Sequence, residues 1–264
     1  MSIRKAAVAG TFYIEDKLEL QNMIEQFLDN AEKKPQKAEL LIAPHAGLIY
    51  SGESAGIAYK QLDNRSDIKR VLLVGPSHHI GFEGFSVSPD TVWETPLGEI
   101  NVDIESINTF LQSQIVNAFI HAQPHEQEHS LELQLPFLQK QLDDFLLIPI
   151  VYGQASSDDL LKIFEYFKDP ETIIIISSDL SHFYDESQAN RLDAQCHEGV
   201  TSLDLEKLER CEACGKTGMK AAVKYALKYS LNSTLLSYTT SAKTSGDTSR
   251  VVGYGSYMFY KDKN

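Results

Sequence analysis

Three short apolar runs in this sequence each end at residues that can bind a metal or move a proton. The runs cover residues 40–43, 71–74 and 173–177. The polar residues that follow them are His45, then His78 and His79, then Asp179 and His182. Two histidines with a carboxylate hold Fe(II) in non-haem oxygenases, and similar sets with a bound water hold catalytic zinc. If the runs are neighbouring parallel strands, their carboxyl ends meet at one sheet edge and form one site.

The spacing within this set assigns different roles to its members. His78 and His79 are adjacent, so on an extended segment they point in opposite directions and only one faces the site easily. Imidazoles from neighbouring strand ends could share one metal ion, so the histidines of this set are candidate ligands. Asp179 and His182 are three residues apart, which suits either a catalytic pair in which His182 moves a proton and Asp179 orients it, or a pair that hydrogen-bonds and orients the metal ligands. The alternative is that each histidine only hydrogen-bonds a loop carbonyl.

A second arrangement, from His125 to His129, matches the H-E-x-x-H pattern of zinc metalloproteases. On one helix the two histidines would share a face and hold zinc, with Glu126 as the base. However, Pro124 directly precedes the pattern, so its first histidine would lie at the first helical position instead of mid-helix. We therefore expect a helix that starts near Glu126–Glu128 and offers Glu128, His129 and Glu132 from its first turns.

A third arrangement places several serines beside Asp179 and His182 in the segment 177–182. This is the composition of a Ser-His-Asp triad, but no G-x-S-x-G elbow is present, and triad members normally come from separate segments. No G-x-G-x-x-G or Walker loop supports nucleotide binding. In the polar loop 240–250, Asp247 is a candidate carboxylate for the histidine site. Equally, it is a turn-forming residue after a glycine.

Composition limits the partners and the compartment. The 264 residues carry a formal net charge of −13, and because an acidic surface repels phosphate backbones we expect no nucleic-acid partner. The sequence contains no run of about eighteen apolar residues, so we expect no membrane span. The N-terminus lacks the apolar segment of a secretory signal. Three cysteines, Cys196, Cys211 and Cys214, are too few for a disulfide framework. We expect plain thiols in a reducing compartment, with a cytoplasmic location.

Apolar strands that alternate with amphipathic helices indicate an α/β fold with a mostly parallel central sheet flanked by helices. The predicted strands cover residues 39–43, 71–74, 84–87, 93–102, 145–151, 172–177, 233–240 and 251–260. The predicted helices cover residues 17–31, 54–62, 103–114, 128–142, 156–167, 186–200, 204–210 and 217–229. Pro149 would put its strand at a sheet edge or a bulge. We expect one domain over residues 1–264.

Several short motifs, taken together, resemble those of the Memo family, whose prokaryotic members are called AmmeMemoRadiSam system protein B. The matching segments are Ala6–Tyr13, Ala43–Gly47 with Tyr50–Gly52, Gly75–His79, Glu128–Glu132 with Leu135 and Pro136, Ser177–His182, and Ser249–Tyr254. They follow one another in order from one end of the chain to the other. The resemblance therefore covers essentially the whole chain.

This resemblance implies a fold similar to the class III extradiol, non-haem iron dioxygenases. It implies that His45 and His78 match metal-ligand positions, and that His182 matches a third pocket histidine, with Asp179 beside it. In animal members a cysteine is the third ligand, and its position here corresponds to Thr244. A threonine hydroxyl is a poor ligand for iron or copper. Asp247 or His182 would then substitute, or the pocket would be metal-free.

The resemblance also frames the function. It implies Fe(II), with copper or zinc as alternatives, in a metal-dependent oxidoreductase of dioxygenase descent. The alternative is a non-catalytic peptide- or protein-binding module that keeps the dioxygenase fold. Prokaryotic members resemble a component that works beside AMMECR-type and radical SAM proteins. A small molecule or a peptide is the expected occupant of the pocket.

Overall fold

The computed structural model describes residues 2–262, which contain a large mixed sheet and a small three-stranded sheet. The strands are β1 (Ile3–Arg4), β2 (Ala38–Ala43), β3 (Arg70–Pro76), β4 (Phe85–Val87), β5 (Val92–Thr95), β6 (Gly98–Asn101), β7 (Ala118–Ile120), β8 (Leu146–Tyr152), β9 (Thr172–Ser177), β10 (His182–Tyr184), β11 (Asn232–Thr240) and β12 (Val251–Tyr260). The large sheet has the order β10-β12-β2-β9-β3-β8-β4-β7, and β11 pairs with β12. The small sheet has the order β1-β5-β6.

Four parallel strands, in the order β2-β9-β3-β8, form the centre of the large sheet. Their residues are almost continuously apolar and buried, as expected for strands covered on both faces. Because the strands are parallel, the carboxyl ends of β2, β9 and β3 lie side by side. The three polar segments that follow these strands therefore lie at one edge of the sheet.

Helices cover the sheet, and several of them begin at an acidic or serine cap. They are α1 (Lys17–Asp29), α2 (Leu48–Tyr59), α3 (Ile104–Ser113), α4 (Gln123–Glu126), α5 (His129–Glu132), α6 (Leu135–Gln141), α7 (Ser157–Tyr166), α8 (Glu186–Thr201), α9 (Leu205–Glu209), α10 (Lys216–Tyr229) and α11 (Ala242–Ser245). Asp16, Asp103, Ser156 and Asp185 each accept a first-turn amide. Within residues 2–262, no helix has the length and apolarity needed to cross a membrane.

The predicted α/β class is confirmed, and the strands at 172–177 and 251–260 have the predicted bounds. The predicted helix 128–142 is wrong as one element. It is divided into α5 and α6, because Pro136 has no N–H to donate to the carbonyl four residues earlier. The helix predicted from residue 54 begins at Leu48 instead, directly after the Gly47 cap.

Pro149 lies in the interior of the sheet and not at an edge, which corrects that prediction. Its strand β8 pairs with β3 on one side and with β4 on the other. The pairing with β4 covers only Ile150, Val151 and Tyr152, so it ends just before the proline. A residue without an amide N–H is tolerated at the point where the neighbouring strand stops.

The N-terminal arm, residues 2–14, is fastened to the core by a buried ion pair. Arg4 Nη1 lies 2.6 Å from Glu132 Oε2, and the two side chains are 3% and 0% exposed. Glu132 also accepts hydrogen bonds from the backbone of Ala7 and Val8 and from Tyr13 Oη. One carboxylate on α5 therefore binds four groups of the arm, and Arg4 adds hydrogen bonds to the carbonyls of His125 and Glu128.

The expectation of three plain thiols is wrong for two of the cysteines. Cys196 on α8 and Cys211, in the segment before α10, form a disulfide, and both are buried. Cys214 is the free cysteine among the described residues. The sequence argument failed because it counted cysteines but could not see that α8 passes beside residue 211.

Candidate metal centre

The polar segments that follow β2, β3 and β9 converge as their order in the sheet requires. His45 is two residues beyond β2 and 1% exposed, whereas His78, two residues beyond β3, is open to solvent. Their ring centroids are 5.1 Å apart. The third segment, after β9, contributes Asp179, which is 4% exposed. Its Oδ1 accepts the backbone N–H of His45 at 2.7 Å and so fixes the turn that carries this histidine.

The hydrogen bonds around Ser177 decide which nitrogen of His45 is free. Ser177 Oγ donates its proton to the carbonyl of Ser130 at 2.6 Å. It also accepts from Gln134 Nε2 at 2.7 Å and lies 2.7 Å from His45 Nδ1. Since the serine proton is already used, His45 Nδ1 must be the donor, and its Nε2 carries a free lone pair. A metal-binding histidine is prepared in this way.

Glu128 fixes which ring nitrogen of His78 is protonated. Its Oε1 lies 2.8 Å from His78 Nδ1, and its Oε2 accepts the backbone N–H of His78 at 2.6 Å. A carboxylate at this distance makes Nδ1 the protonated nitrogen and leaves Nε2 as the lone-pair donor. Burial acts to raise the pKa of Glu128, but the hydrogen bonds and charge of His78 outweigh it and lower the pKa to about 2.

Cys214 supplies the third donor atom, which sequence reasoning missed. Its Sγ lies 3.3 Å from His45 Nε2 and accepts the N–H of Asp179 at 3.2 Å. The residue lies just before Gly215, the N-cap of α10, where the helix dipole favours a thiolate. Burial and the Asp179 charge nevertheless raise the pKa of the free thiol. A cysteine directly ahead of a helix was the sequence signal that could have identified it.

One donor atom each from His45, His78 and Cys214 lies within 4.8 Å of the other two. Two ligands bound at 2.0–2.3 Å in tetrahedral geometry are about 3.3–3.8 Å apart. The 3.3 Å separation of His45 Nε2 and Cys214 Sγ therefore fits ligands of one ion. Two imidazoles and a thiolate suit zinc, copper or iron.

Thr244 and Asp247 lie outside this donor set. The cysteine beside His45 is Cys214, whereas the family's cysteine ligand was expected to correspond to Thr244. Thr244 and Asp247 are both exposed. Thr244 Oγ1 donates to the carbonyl of Ile49 at 3.1 Å. Asp247 Oδ1 accepts the N–H and hydroxyl of Ser249, which is the turn-forming role considered for it. Among residues 2–262, Asp247 belongs to no group of acidic, histidine or cysteine side chains whose donor atoms could share a metal.

His129, from the first turn of α5, completes the cluster of rings. Its ring centroid lies 5.3 Å from that of His45, 4.6 Å from His78 and 6.0 Å from His79. Phe12 of the arm covers it at 4.7 Å. Burial, followed by the electrostatic effect of His45, lowers the pKa of His129 to about 4, so the ring is neutral near pH 7.

A second group that could hold a metal combines His78, Glu128 and His129. It is two histidines and a carboxylate, the set found in non-haem iron oxygenases. However, both Glu128 oxygens are already engaged by His78, and Oε1 also accepts the N–H of Ser130 at 2.9 Å. Glu128 is thus better placed to orient His78 than to bind an ion itself.

His182 is half-buried on β10, and its ring is packed edge-on against Phe183 at 5.6 Å. It is close enough to His45 and Asp179 to affect the pKa of each. Burial raises the pKa of Asp179, and its hydrogen bond goes to the His45 backbone. His182 thus lies within electrostatic range of Asp179, without a hydrogen bond between them among the described residues.

The H-E-x-x-H segment does not form a zinc site. His125 is on α4, and His129 begins α5 with Glu128 as its cap. His125 is 1% exposed and contacts Ser86 and Trp93. The two histidines therefore lie on separate helices and have different neighbours.

A family model described as Memo-like protein matches residues 4–258. The chain belongs to the Memo-like family. A MEMO1 family protein of Aquifex aeolicus is 35% identical over 213 residues, which cover 79% of this chain and 78% of that protein. A MEMO1 family protein of Archaeoglobus fulgidus is 32% identical over 269 residues, covering 97% and 99%. The protein memo-1 homolog of Caenorhabditis elegans is 31% identical over 219 residues, covering 79% of this chain and 62% of that protein.

The Memo family indicated by the sequence motifs is thus confirmed. The matches extend across bacteria, archaea and animals and, in the archaeal case, along nearly the full length of both chains. The likeness to class III dioxygenases stays a prediction.

Proposed function

We propose that this Memo-like protein is a metal-dependent oxidoreductase whose ion is held by His45, His78 and Cys214. The observation that carries this proposal is the pair of histidines with fixed tautomers, with His45 Nε2 3.3 Å from the Cys214 sulfur and a His78 ring nitrogen within 4.8 Å of both. Structural zinc sites are usually closed by four protein ligands, whereas sites that do chemistry keep a position open. Three protein donors with solvent access at His78 match the second kind.

A redox-active ion, iron or copper, suits the proposed activity, and zinc is the alternative for the same donors. When bound, such an ion would supply one-electron chemistry and a Lewis acid. Ser177 and Glu128 hold the two imidazoles in place, and Asp179 fixes the backbone of His45. Neutral His129 is placed to accept a proton from a substrate, and His182 is the second candidate for proton transfer.

Metal analysis of four matched variants tests the proposal. We expect stoichiometric metal in the wild-type protein purified anaerobically with iron, copper or zinc supplied. His45→Ala and Cys214→Ser should each lose most of it, because each removes one of three ligands. Thr244→Ala and Asp247→Asn should retain it, because these residues lie outside the donor set. A well-folded wild-type protein with no bound metal, or Cys214→Ser with full metal content, would contradict the assignment.

The competing function, a non-catalytic peptide- or protein-binding module, drew its support from the missing cysteine. Cys214 beside His45 removes that argument. From the sequence we also propose a single domain and a cytoplasmic location, and from the family resemblance we propose work beside AMMECR-type and radical SAM proteins. Copurification of tagged protein from its own host, followed by mass spectrometry, tests these partners.

A further inference from the structure

A cavity of about 350 Å³ opens beside the proposed metal centre, between the N-terminal arm and the start of α2. This volume is at the small end of the range of ligand pockets. Its lining consists of Gly10, Thr11, Phe12, Tyr13, Ile14, Met23, Gly47, Leu48, Ile49 and Tyr50. None of these side chains is charged, although the whole chain has 37 acidic and 24 basic residues. The chemistry of the cavity is therefore apolar.

The cavity adjoins the histidine cluster through two shared elements. Phe12 lines the cavity and also covers the ring of His129 at 4.7 Å. The backbone of Phe12 accepts the N–H of Leu48 at 2.8 Å, which closes the arm onto the segment that follows His45. Phe12 is therefore a wall shared by the cavity and the histidine cluster, and the ring of His129 behind it lies 5.3 Å from that of His45.

Two side chains at the rim remain exposed in the folded protein. Ile49 is 61% exposed and Tyr50 is 37% exposed, although both are large and largely apolar. Ile49 lies in the first turn of α2, where a polar residue would be accepted without loss of packing. Apolar groups kept in water at the rim of an uncharged cavity favour an apolar ligand, since binding would remove both surfaces from water.

We infer that the substrate of the proposed metal centre carries an uncharged alkyl or aryl group, which this cavity binds while a polar head reaches the ion. This inference rests on the proposed function, because the metal centre defines where the head of the substrate lies. The size of the cavity limits the group to a short chain or a single ring. A substrate that is charged throughout does not fit the lining.

A series of hydroxamates separates the two halves of this inference. Acetohydroxamate chelates metal ions but has almost no tail, whereas hexanohydroxamate and benzohydroxamate add an alkyl chain and a ring to the same head. We expect calorimetric affinity for the metal-loaded protein to rise roughly threefold to fourfold for each methylene that is buried. Equal affinities of acetohydroxamate and the two longer probes would overturn the inference. Metal content is measured after each titration, to exclude extraction of the ion.

Two equally exposed residues provide the matched variants. Ile49→Asn makes the rim of the cavity polar, and Leu18→Asn changes a residue that is 66% exposed but outside the lining. Ile49→Asn should weaken hexanohydroxamate binding by about threefold or more and leave acetohydroxamate unchanged. Leu18→Asn should change neither. Equal effects of the two variants on hexanohydroxamate would overturn the assignment of the cavity.

An experiment on the metal-free protein distinguishes failure of the cavity from failure of the metal centre. Hexanol has the tail without the chelating head, and its binding is followed by methyl NMR of Met23 and Ile49. Shifts at these methyl groups support the cavity, and their absence at millimolar hexanol overturns it. If hexanol binds but loading the protein with metal does not strengthen hydroxamate binding, the proposed metal centre fails while the apolar cavity stands.

Discussion

At the scale of single residues, Ser177 is a small side chain with a large expected effect. Its hydroxyl donates its only proton to the Ser130 carbonyl, so His45 must donate from Nδ1, and His45 Nε2 carries an unprotonated lone pair. Glu128 fixes His78 by the same logic but with a carboxylate. The tautomer of each proposed ligand is therefore determined by a residue that does not itself face the ion.

We predict that Ser177→Ala weakens metal affinity by roughly tenfold to a hundredfold, as loss of a ligand-orienting partner typically does. The variant leaves His45 Nδ1 without its acceptor, and the imidazole can then turn or change tautomer. Competition with a chelating dye measures the affinity. Ser256→Ala is the control, because Ser256 is equally buried but bonds Ser54. If both variants bind metal like the wild type, Ser177 does not orient His45.

At the scale of elements, the N-terminal arm matters because it forms one wall of both the histidine cluster and the apolar cavity. Its attachment depends on Glu132, whose carboxylate receives Arg4, two backbone amides and Tyr13. Burial, followed by the charge of Glu132, raises the pKa of Tyr13, so this hydroxyl stays a donor. Arg4 also stacks over Trp93 at 4.3 Å, which ties the arm to the small sheet.

We predict that Glu132→Gln lowers the free energy of unfolding by about 3 kcal/mol, because it leaves the buried Arg4 charge without its partner. Urea denaturation measures this change, and proteolysis should become faster within residues 2–14. Glu53→Gln removes the exposed ion pair with Lys243 and should cost less than about 1 kcal/mol. Similar unfolding free energies for the two variants would contradict the proposed role of Glu132.

At the scale of the whole molecule, several histidines are buried in the neutral form. Burial lowers the pKa of His197 to about 4 and, with the nearby Arg4 charge, lowers that of His125 to about 3. The unfolded chain binds protons at these groups near pH 6.5, whereas the folded protein does not. Unfolding therefore takes up protons below this pH, and acid favours the unfolded state.

We predict that stability is fully present above about pH 6.5 and falls progressively as the pH approaches 4. His197→Gln should reduce this loss by about 1–2 kcal/mol, a figure discounted because the side chain is partly exposed. Thermal unfolding of the metal-free protein between pH 4 and pH 8 measures it. The exposed His79→Gln variant is the control and should keep the wild-type pH dependence. An unchanged slope in His197→Gln would contradict the explanation.

The linear sequence determined the α/β class, because apolar runs of strand length alternate with amphipathic helices along the chain. It also determined β9, β12 and the capped starts of α3 and α7, where periodicity and cap residues agree. Local signals were less informative where a proline divides a continuous apolar pattern, as at Pro136. Local sequence does not show which strands pair with one another. The interior position of Pro149 therefore became visible only in the assembled sheet, where β8 pairs with β3 and β4.

Some residues of the candidate site could likewise be identified from local sequence, and others only from the tertiary structure. An apolar run that stops at a histidine is a local pattern, and His45 and His78 could be identified from it. Cys214 is 169 residues from His45 in sequence, and only the docking of α10 beside β9 brings its sulfur to the imidazole. The Cys196–Cys211 disulfide likewise depends on where α8 packs. Residue type and periodicity are written in the sequence, whereas proximity between distant segments arises only when the sheet is assembled.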